Sequence, residues 1–161
     1  MVMIKGFNKE INYKKLFRSY EKNIEKEIRV LEKKAGSDFR WKEEIAAIPN
    51  LLNLLVSILD SPLTPTVYRV RIITCIAYLI APVDVIPQEV YGLEGYVDDF
   101  SAVVLVLDSI RKNLPQKLIL ENWKGKFDII EFLDNSICQT KVLLDKNILR
   151  EFQRIFDPEG E

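Results

Sequence analysis

The sequence predicts an all-α fold, a compact bundle of about five to seven helices around a central helical hairpin. Apolar residues recur at steps of three and four along most of the chain, which is the spacing of a helix face. Hydrophobic residues make up 48% and charged residues 29% of the 161 residues, a balance typical of globular proteins. We expect the hairpin to pair a helix at about residues 65–81 with one at about 98–113.

We expect residues 1–161 to form a single helical domain of three parts. The N-terminal helix occupies residues 1–36, the core spans 38–113, and a C-terminal helical extension spans 116–157. The first helix runs from about Asn12 to Ala35, and its apolar face is formed by Tyr13, Phe17, Tyr20, Ile24, Ile28 and Leu31. Its polar face mixes both charges, which favours packing against the core over lying on an anionic membrane.

The second predicted helix follows Ser37 or Asp38 as its cap and ends near Asp60. Pro49 falls inside it, so we expect a kink there, or a helix that restarts with Pro49 in its first turn. Thr64 is then expected to cap the third helix.

Pro65 suits the first position of the third helix, and Pro82 ends that helix. The fourth helix is expected to begin close to Asp98 and to end at Pro115. After a short helix near 116–124, a further helix starts at Phe127 and a last one, Lys146 to Phe156, is capped by Asp145. Residues 136–144 fit either a helix or an extended segment.

The composition argues against several classes of protein. The formal net charge of -1 argues against broad nucleic-acid binding, which needs a basic surface. With two cysteines and no histidine, the chain lacks the usual ligands of a zinc site, and a disulfide framework is not expected. The most apolar window, residues 72–81, is half of the about 20 residues that span a membrane. We therefore expect a cytoplasmic protein without a transmembrane span.

Acidic residues are concentrated in the loop between the two hairpin helices and in the second of these helices. Residues 82–108 contain six carboxylates and no lysine or arginine: Asp84, Glu89, Glu94, Asp98, Asp99 and Asp108. Pro82 and Pro87 stiffen the connection, and Asp84 between them is well placed to cap a short turn. Gly95 allows a positive φ where the chain turns towards the fourth helix. The loop is thereby expected to bring Asp84 close to the pair Asp98 and Asp99.

This segment resembles the signature of the YkvA-like family, a domain of unknown function. The matching residues are Tyr78, Pro82, Asp84, Ile86, Pro87, Gly95, Tyr96, Asp98 and Asp99. The resemblance covers about residues 50–112, and the family implies no established activity. Gln88 departs from the family pattern, in which an acidic residue usually follows the second proline.

The sequence is compatible with three functional hypotheses. The first, which we favour over an enzyme, is a non-catalytic structural or interaction module. In it, Asp84 and Asp98 cap helix ends, Tyr78 packs in the core, and an unknown protein partner binds elsewhere. Such a protein would need no cofactor.

The second hypothesis is a divalent-metal-dependent enzyme, with no catalytic residue identified. Asp84, Asp98 and Asp99, with Glu89 or Glu94 nearby, could hold Mg²⁺ or Ca²⁺ and activate water on a phosphate-containing substrate. Arg69 or Arg71 would steady that substrate, or would merely neutralise Asp84.

The third hypothesis is an accessory protein at the membrane periphery. The apolar third and fourth helices, and the loop residues Val83, Val85, Ile86, Val90 and Tyr91, would present an apolar edge to lipid or to a membrane protein. An acidic loop disfavours anionic headgroups, so these residues are more readily interpreted as cover for the core.

Overall fold

A computed structural model of the chain describes residues 13–33, 41–80 and 96–158. Within these ranges all regular structure is helical, which confirms the predicted all-α bundle. The seven described helices are α1 (Tyr13–Lys33), α2 (Lys42–Asp60), α3 (Thr66–Ile80), α4 (Val97–Asn113), α5 (Lys117–Asn122), α6 (Ile129–Leu143) and α7 (Lys146–Phe156).

Helix α4 is the centre of the bundle. It packs against α2, α3, α6 and α7, and every residue from Val97 to Ile110 is buried. A helix that is surrounded on all sides has no solvent face, which explains why its apolar residues occur almost all round. The predicted hairpin of α3 and α4 is therefore present, and α4 is its more deeply buried member.

Helix α1 packs on α2 through the face predicted from its spacing. Tyr20 and Ile24 are buried, and Ile28 is partly buried against the core. Glu25 and Arg29 form an exposed ion pair at 3.7 Å, one helical turn apart.

Helix α2 begins later than predicted. Its first residue is Lys42 and its N-cap is Trp41, whose side chain makes no capping bond. The cap predicted at Ser37 or Asp38 is therefore wrong, and those two residues lie outside the described ranges. Pro49 lies within one continuous helix, so the predicted restart does not occur; burial of the apolar face on both sides of Pro49 outweighs the one backbone bond that proline removes.

The corner between α2 and α3 is fixed by side chains that bind backbone carbonyls. The Thr64 hydroxyl donates to the carbonyl of Ile58 at 2.5 Å, at the end of α2. Pro65 supplies the carbonyl that accepts the N–H groups of Tyr68 and Arg69 at the start of α3. Thr64 thus serves the end of α2, although its position suggested a cap for α3.

The last two helices begin with aspartate caps. Asp128 accepts the N–H groups of Ile130 and Glu131 at 2.9 and 3.1 Å, so α6 starts just after the predicted Phe127. Asp145 accepts the N–H of Asn147 at 2.8 Å, which confirms the predicted cap of α7. The segment 136–144, which the sequence left open, continues α6 as far as Leu143.

Candidate functional site

The candidate site lies at the start of α4, where two neighbouring aspartates are fully buried. Asp98 and Asp99 occupy the first turn of the helix, as predicted, and each has no solvent exposure. Oδ1 of Asp98 accepts the backbone N–H of Asp99 at 3.0 Å. Tyr96 precedes them at the N-cap position and its side chain makes no capping bond, so the carboxyls stand where the free N–H groups of a helix start are found.

Asp98 is joined to α3 through Tyr78. The Tyr78 hydroxyl donates to Oδ2 of Asp98 at 2.7 Å. The ring of Tyr78 also meets two aromatic rings of α7 edge to face, Phe152 at 5.4 Å and Phe156 at 5.9 Å between centroids. Tyr78, predicted as a core residue of the motif, therefore links three helices: α3, α4 and α7.

Asp99 is joined to α1 through Tyr20. The Tyr20 hydroxyl donates to Oδ2 of Asp99 at 2.5 Å, and its ring packs edge to face on Tyr96 with centroids 5.7 Å apart. Burial raises the pKa of the Tyr20 phenol well above its usual value, and the charge of Asp99 and the hydrogen bond to it raise it further. The phenol therefore stays protonated and keeps donating to Asp99.

Sequence reasoning missed the polar role of Tyr20. It placed this residue in the apolar stripe of α1, which is correct for the ring but says nothing of the hydroxyl. The bond to Asp99 spans 79 positions, so no local pattern contains both partners.

Cys75 lies in α3 and is fully buried. Burial raises the pKa of its thiol, and the negative charge of Asp99 raises it further. A thiol of this kind stays protonated and is a poor nucleophile. The sequence-based view of Cys75 as a small buried hydrophobe therefore fits its surroundings.

The two predicted charge partners, Arg69 and Arg71, bind described residues, and their pairing with Asp84 stays a prediction because Asp84 lies outside the described ranges. Arg69 donates to the carbonyls of Thr64 and Ser61 at 3.0 and 2.9 Å. Arg71 is buried, donates to the Ser109 hydroxyl at 3.0 Å, and its guanidinium lies 4.8 Å from the centre of the Tyr68 ring. Arg69 thus stabilises the corner between α2 and α3.

Asp108, the last carboxylate of the acidic segment, is neutralised by residues just beyond that segment. It lies fully buried, 2.5 Å from Arg111 and 2.6 Å from Lys112 in the next turn of α4. Arg111 also pairs with Asp134 of α6. Burial lowers the pKa of the Arg111 guanidinium, but the hydrogen bonds and charges of Asp134 and Asp108 more than offset this and raise it overall.

Part of the predicted motif lies outside the described residues, namely Pro82, Asp84, Pro87 and Gly95, together with Glu89 and Glu94. The predicted approach of Asp84 to Asp98 and Asp99 is therefore untested. Among residues 13–33, 41–80 and 96–158, no group of three or more carboxylates or thiols is placed to hold a metal ion. None of the described helices has the length and apolarity needed to cross a membrane.

Comparison with known families identifies the segment that carries these residues. Residues 69–105 match the family described as "Protein of unknown function (DUF1232)". This family is of the same kind as the YkvA-like domain, so the match confirms the resemblance drawn from the motif, over a narrower range than 50–112. The matched segment contains Tyr78 and Asp98, with most of α3 and the first part of α4.

Similar proteins have varied names. An "Uncharacterized protein ORF9" from Methanothermobacter thermautotrophicus is 24% identical over 108 residues, which is 66% of this chain and 73% of the relative. "E3 ubiquitin-protein ligase RNF170" from Xenopus tropicalis is 43% identical over 44 residues, or 25% of this chain. The same ligase from Danio rerio is 44% identical over 43 residues, or 24% of this chain. The chain thus spans 17% and 16% of the two ligases. No solved structure matches the chain significantly.

Proposed function

We propose that this protein is a non-catalytic interaction module, in which Asp98 and Asp99 hold helices together. One observation carries the proposal: both carboxyls are fully buried, and each accepts a hydrogen bond from a tyrosine of a different helix. A buried polar group that is hydrogen-bonded in this way fixes the geometry of a core.

The relatives support the idea of a module. The matched stretch of 44 or 43 residues makes up 17% or 16% of the ubiquitin ligase from the two organisms, whereas the archaeal relative is matched over 73% of its length. A segment that is found in proteins of such different length can serve as a part within several architectures. Such a distribution is what we expect of a segment whose function is to bind other chains.

The effect of Asp98→Asn on the free energy of unfolding separates this proposal from a metal-dependent enzyme, because the two predict changes of opposite sign. In a binding site, two adjacent carboxyls repel each other, so neutralising one raises stability. In a structural role, Asp98→Asn weakens the bonds from Tyr78 and from the Asp99 N–H, and lowers the free energy of unfolding by about 1–3 kcal/mol. Thermal and urea unfolding measure this change. Asp60→Asn, at the exposed end of α2, is the matched control, and we expect it to change stability by less than about 0.5 kcal/mol.

Calorimetric titration of the whole chain with Mg²⁺, Mn²⁺ and Ca²⁺ completes the test. We expect no binding tighter than about millimolar. Micromolar binding that disappears in Asp98→Asn, together with a rise in the melting temperature of that variant, would contradict the structural role and favour the metal-dependent enzyme.

A further inference from the structure

A cleft of about 450 Å³ lies between the start of α2 and the middle of α6. Both helices pack on α4, and the cleft lies between them. Its volume falls within the range of small-molecule sites, about 300–1,000 Å³. We call it the α2–α6 cleft; the side chains that line it and carry oxygen are those of Glu43, Glu44, Asn135, Ser136 and Gln139.

Ser136 lies at the floor of the α2–α6 cleft with an unused hydroxyl. It lines the cleft although only 1% of the residue is exposed, and its hydroxyl makes no hydrogen bond in the described part of the chain. Hydroxyls of other helices do bond: Ser101 donates to the carbonyl of Val97 at 2.7 Å, and Thr74 to that of Val70 at 2.9 Å. Because a buried hydroxyl without a partner is costly, a ligand that supplies the partner gains affinity.

Two carboxylates without a counter-ion stand at one side of the cleft. Glu43 is exposed and Glu44 is half-buried; neither forms an ion pair, and among the described residues no lysine or arginine lines the cleft. Both lie in the first turn of α2, where acids complement the helix dipole, so alone they would not indicate a site. Together with the unsatisfied hydroxyl of Ser136, they form a set of acceptors that suits a ligand with positive charge and N–H donors.

An aromatic ring gives the cleft an apolar wall. Phe132 lines the cleft, and its ring is held between Phe100 of α4, edge to face at 6.2 Å, and Phe127 at 4.6 Å between centroids. A hydrocarbon chain buries its surface against such a ring, and a cation is attracted to it. A bare metal ion would leave this wall and most of the volume unused, so the cleft suits an organic ammonium ion better.

We propose that the α2–α6 cleft binds a primary alkylammonium group. Its N–H groups donate to the Glu44 carboxylate and the Ser136 hydroxyl, and its alkyl chain lies against Phe132. The group belongs either to a small free amine or to a lysine side chain, which present the same chemistry. The inference goes beyond the proposed interaction module and does not depend on it, because the cleft contains neither Asp98 nor Asp99.

An NMR titration of the whole chain with pentan-1-amine at pH 7 tests the site, and pentan-1-ol is the matched neutral probe. At this pH the amine is protonated, whereas the alcohol keeps the alkyl chain without the charge. We expect a Kd of about 1 mM or tighter for the amine, at least about tenfold weaker binding of the alcohol, and amide shifts at the start of α2 and in α6. Equal binding of the two probes, or shifts confined to other helices, would overturn the ammonium site.

Two nearly isosteric variants assign the contacts. We expect the amine to bind at least about tenfold more weakly to Glu44→Gln, and about three- to tenfold more weakly to Ser136→Ala. Glu121→Gln, exposed on α5 and outside the cleft, is the control and should leave the Kd unchanged. Unchanged amine affinity in Glu44→Gln or in Ser136→Ala would overturn the site.

The melting temperature of Ser136→Ala separates a binding role from a structural one. Because the hydroxyl has no hydrogen bond to lose in the described structure, the variant should melt at the same temperature as the wild-type chain or higher. A lower melting temperature would show that the hydroxyl stabilises the fold, and would overturn its assignment to the ligand.

The amide of Nα-acetyl-lysine distinguishes the two sources of the ammonium group. If it binds at least as tightly as pentan-1-amine, the cleft accepts the lysine side chain of a partner; weaker binding would favour a free amine. Absence of binding by both probes up to about 10 mM would overturn the site. That failure would leave the interaction module standing, because the stability of Asp98→Asn and the metal titration decide it separately.

Discussion

At the scale of single residues, hydrogen bonds between tyrosine and aspartate set the angles at which helices meet. Apolar contacts are non-directional and tolerate rotation of a helix about its own axis. A hydroxyl that must reach one carboxyl oxygen does not tolerate it, because a buried carboxyl that loses its donor is costly. Tyr20 fixes α1 on Asp99 in this way, and Tyr78 fixes α3 on Asp98.

Removal of the Tyr20 hydroxyl tests this coupling. Tyr20→Phe keeps the ring that packs on Tyr96 but removes a donor to Asp99, so we expect a loss of about 1.5–3 kcal/mol in unfolding free energy. In a double-mutant cycle with Asp99→Asn, the double variant should lose less unfolding free energy than the sum of the two single losses, by at least about 1 kcal/mol. Urea unfolding of the four proteins measures this. As a control, the losses in unfolding free energy caused by Tyr20→Phe and Asp60→Asn should add when the two are combined. If the losses of Tyr20→Phe and Asp99→Asn also added, the hydrogen bond between Tyr20 and Asp99 would contribute nothing to stability.

At the scale of elements, α7 shows how a short helix is retained. It has 11 residues, fewer than the about 12–15 below which isolated helices are marginal in water. Two of its side chains, Phe152 and Phe156, are buried, and both meet the ring of Tyr78. The cap by Asp145 and the exposed ion pair of Arg154 with Glu151 add local stabilisation, and Ile148 and Leu149 pack partly against the core.

Loss of that cap should loosen α7 before the rest of the bundle. Asp145→Ala leaves the N–H of Asn147 without its acceptor and is expected to cost about 1 kcal/mol. Hydrogen exchange should become faster in α7 and remain unchanged in α4, since the short helix opens locally. Asp145→Asn is the control, because asparagine caps about as well as aspartate. Faster exchange spread evenly over both helices would show that α7 does not open on its own.

At the scale of the whole molecule, the sequence predicted what local rules determine. Most of the helices in the described residues, the buried face of α1 and the Asp145 cap follow from spacing and capping chemistry within a few residues. The start of α2 was mispredicted because Trp41 makes no side-chain cap, so no residue type marks the boundary. The hydrogen bond from Tyr20 to Asp99 was not predictable, because the two residues are 79 positions apart and meet only when the helices pack together.

The buried thiol of Cys75 and the buried phenol of Tyr20, both near Asp99, make the stability of the fold depend on pH in the alkaline range. Burial raises the pKa of Cys75 above its usual 9.0 and that of Tyr20 above its usual 10.0, and the charge of Asp99 adds to both. Below about pH 9 the folded and unfolded chains both keep these protons, so neither group makes stability depend on pH. Above it, the unfolded chain releases protons that the folded chain retains, and each group lowers the unfolding free energy by up to about 1.4 kcal/mol per pH unit.

Urea unfolding at pH 7 to 10.5 measures the slope, which should be shallower in Cys75→Ala, with its onset near pH 10 instead of pH 9. An unchanged slope and onset in that variant would show that the thiol takes no part, and that other groups cause the alkaline loss.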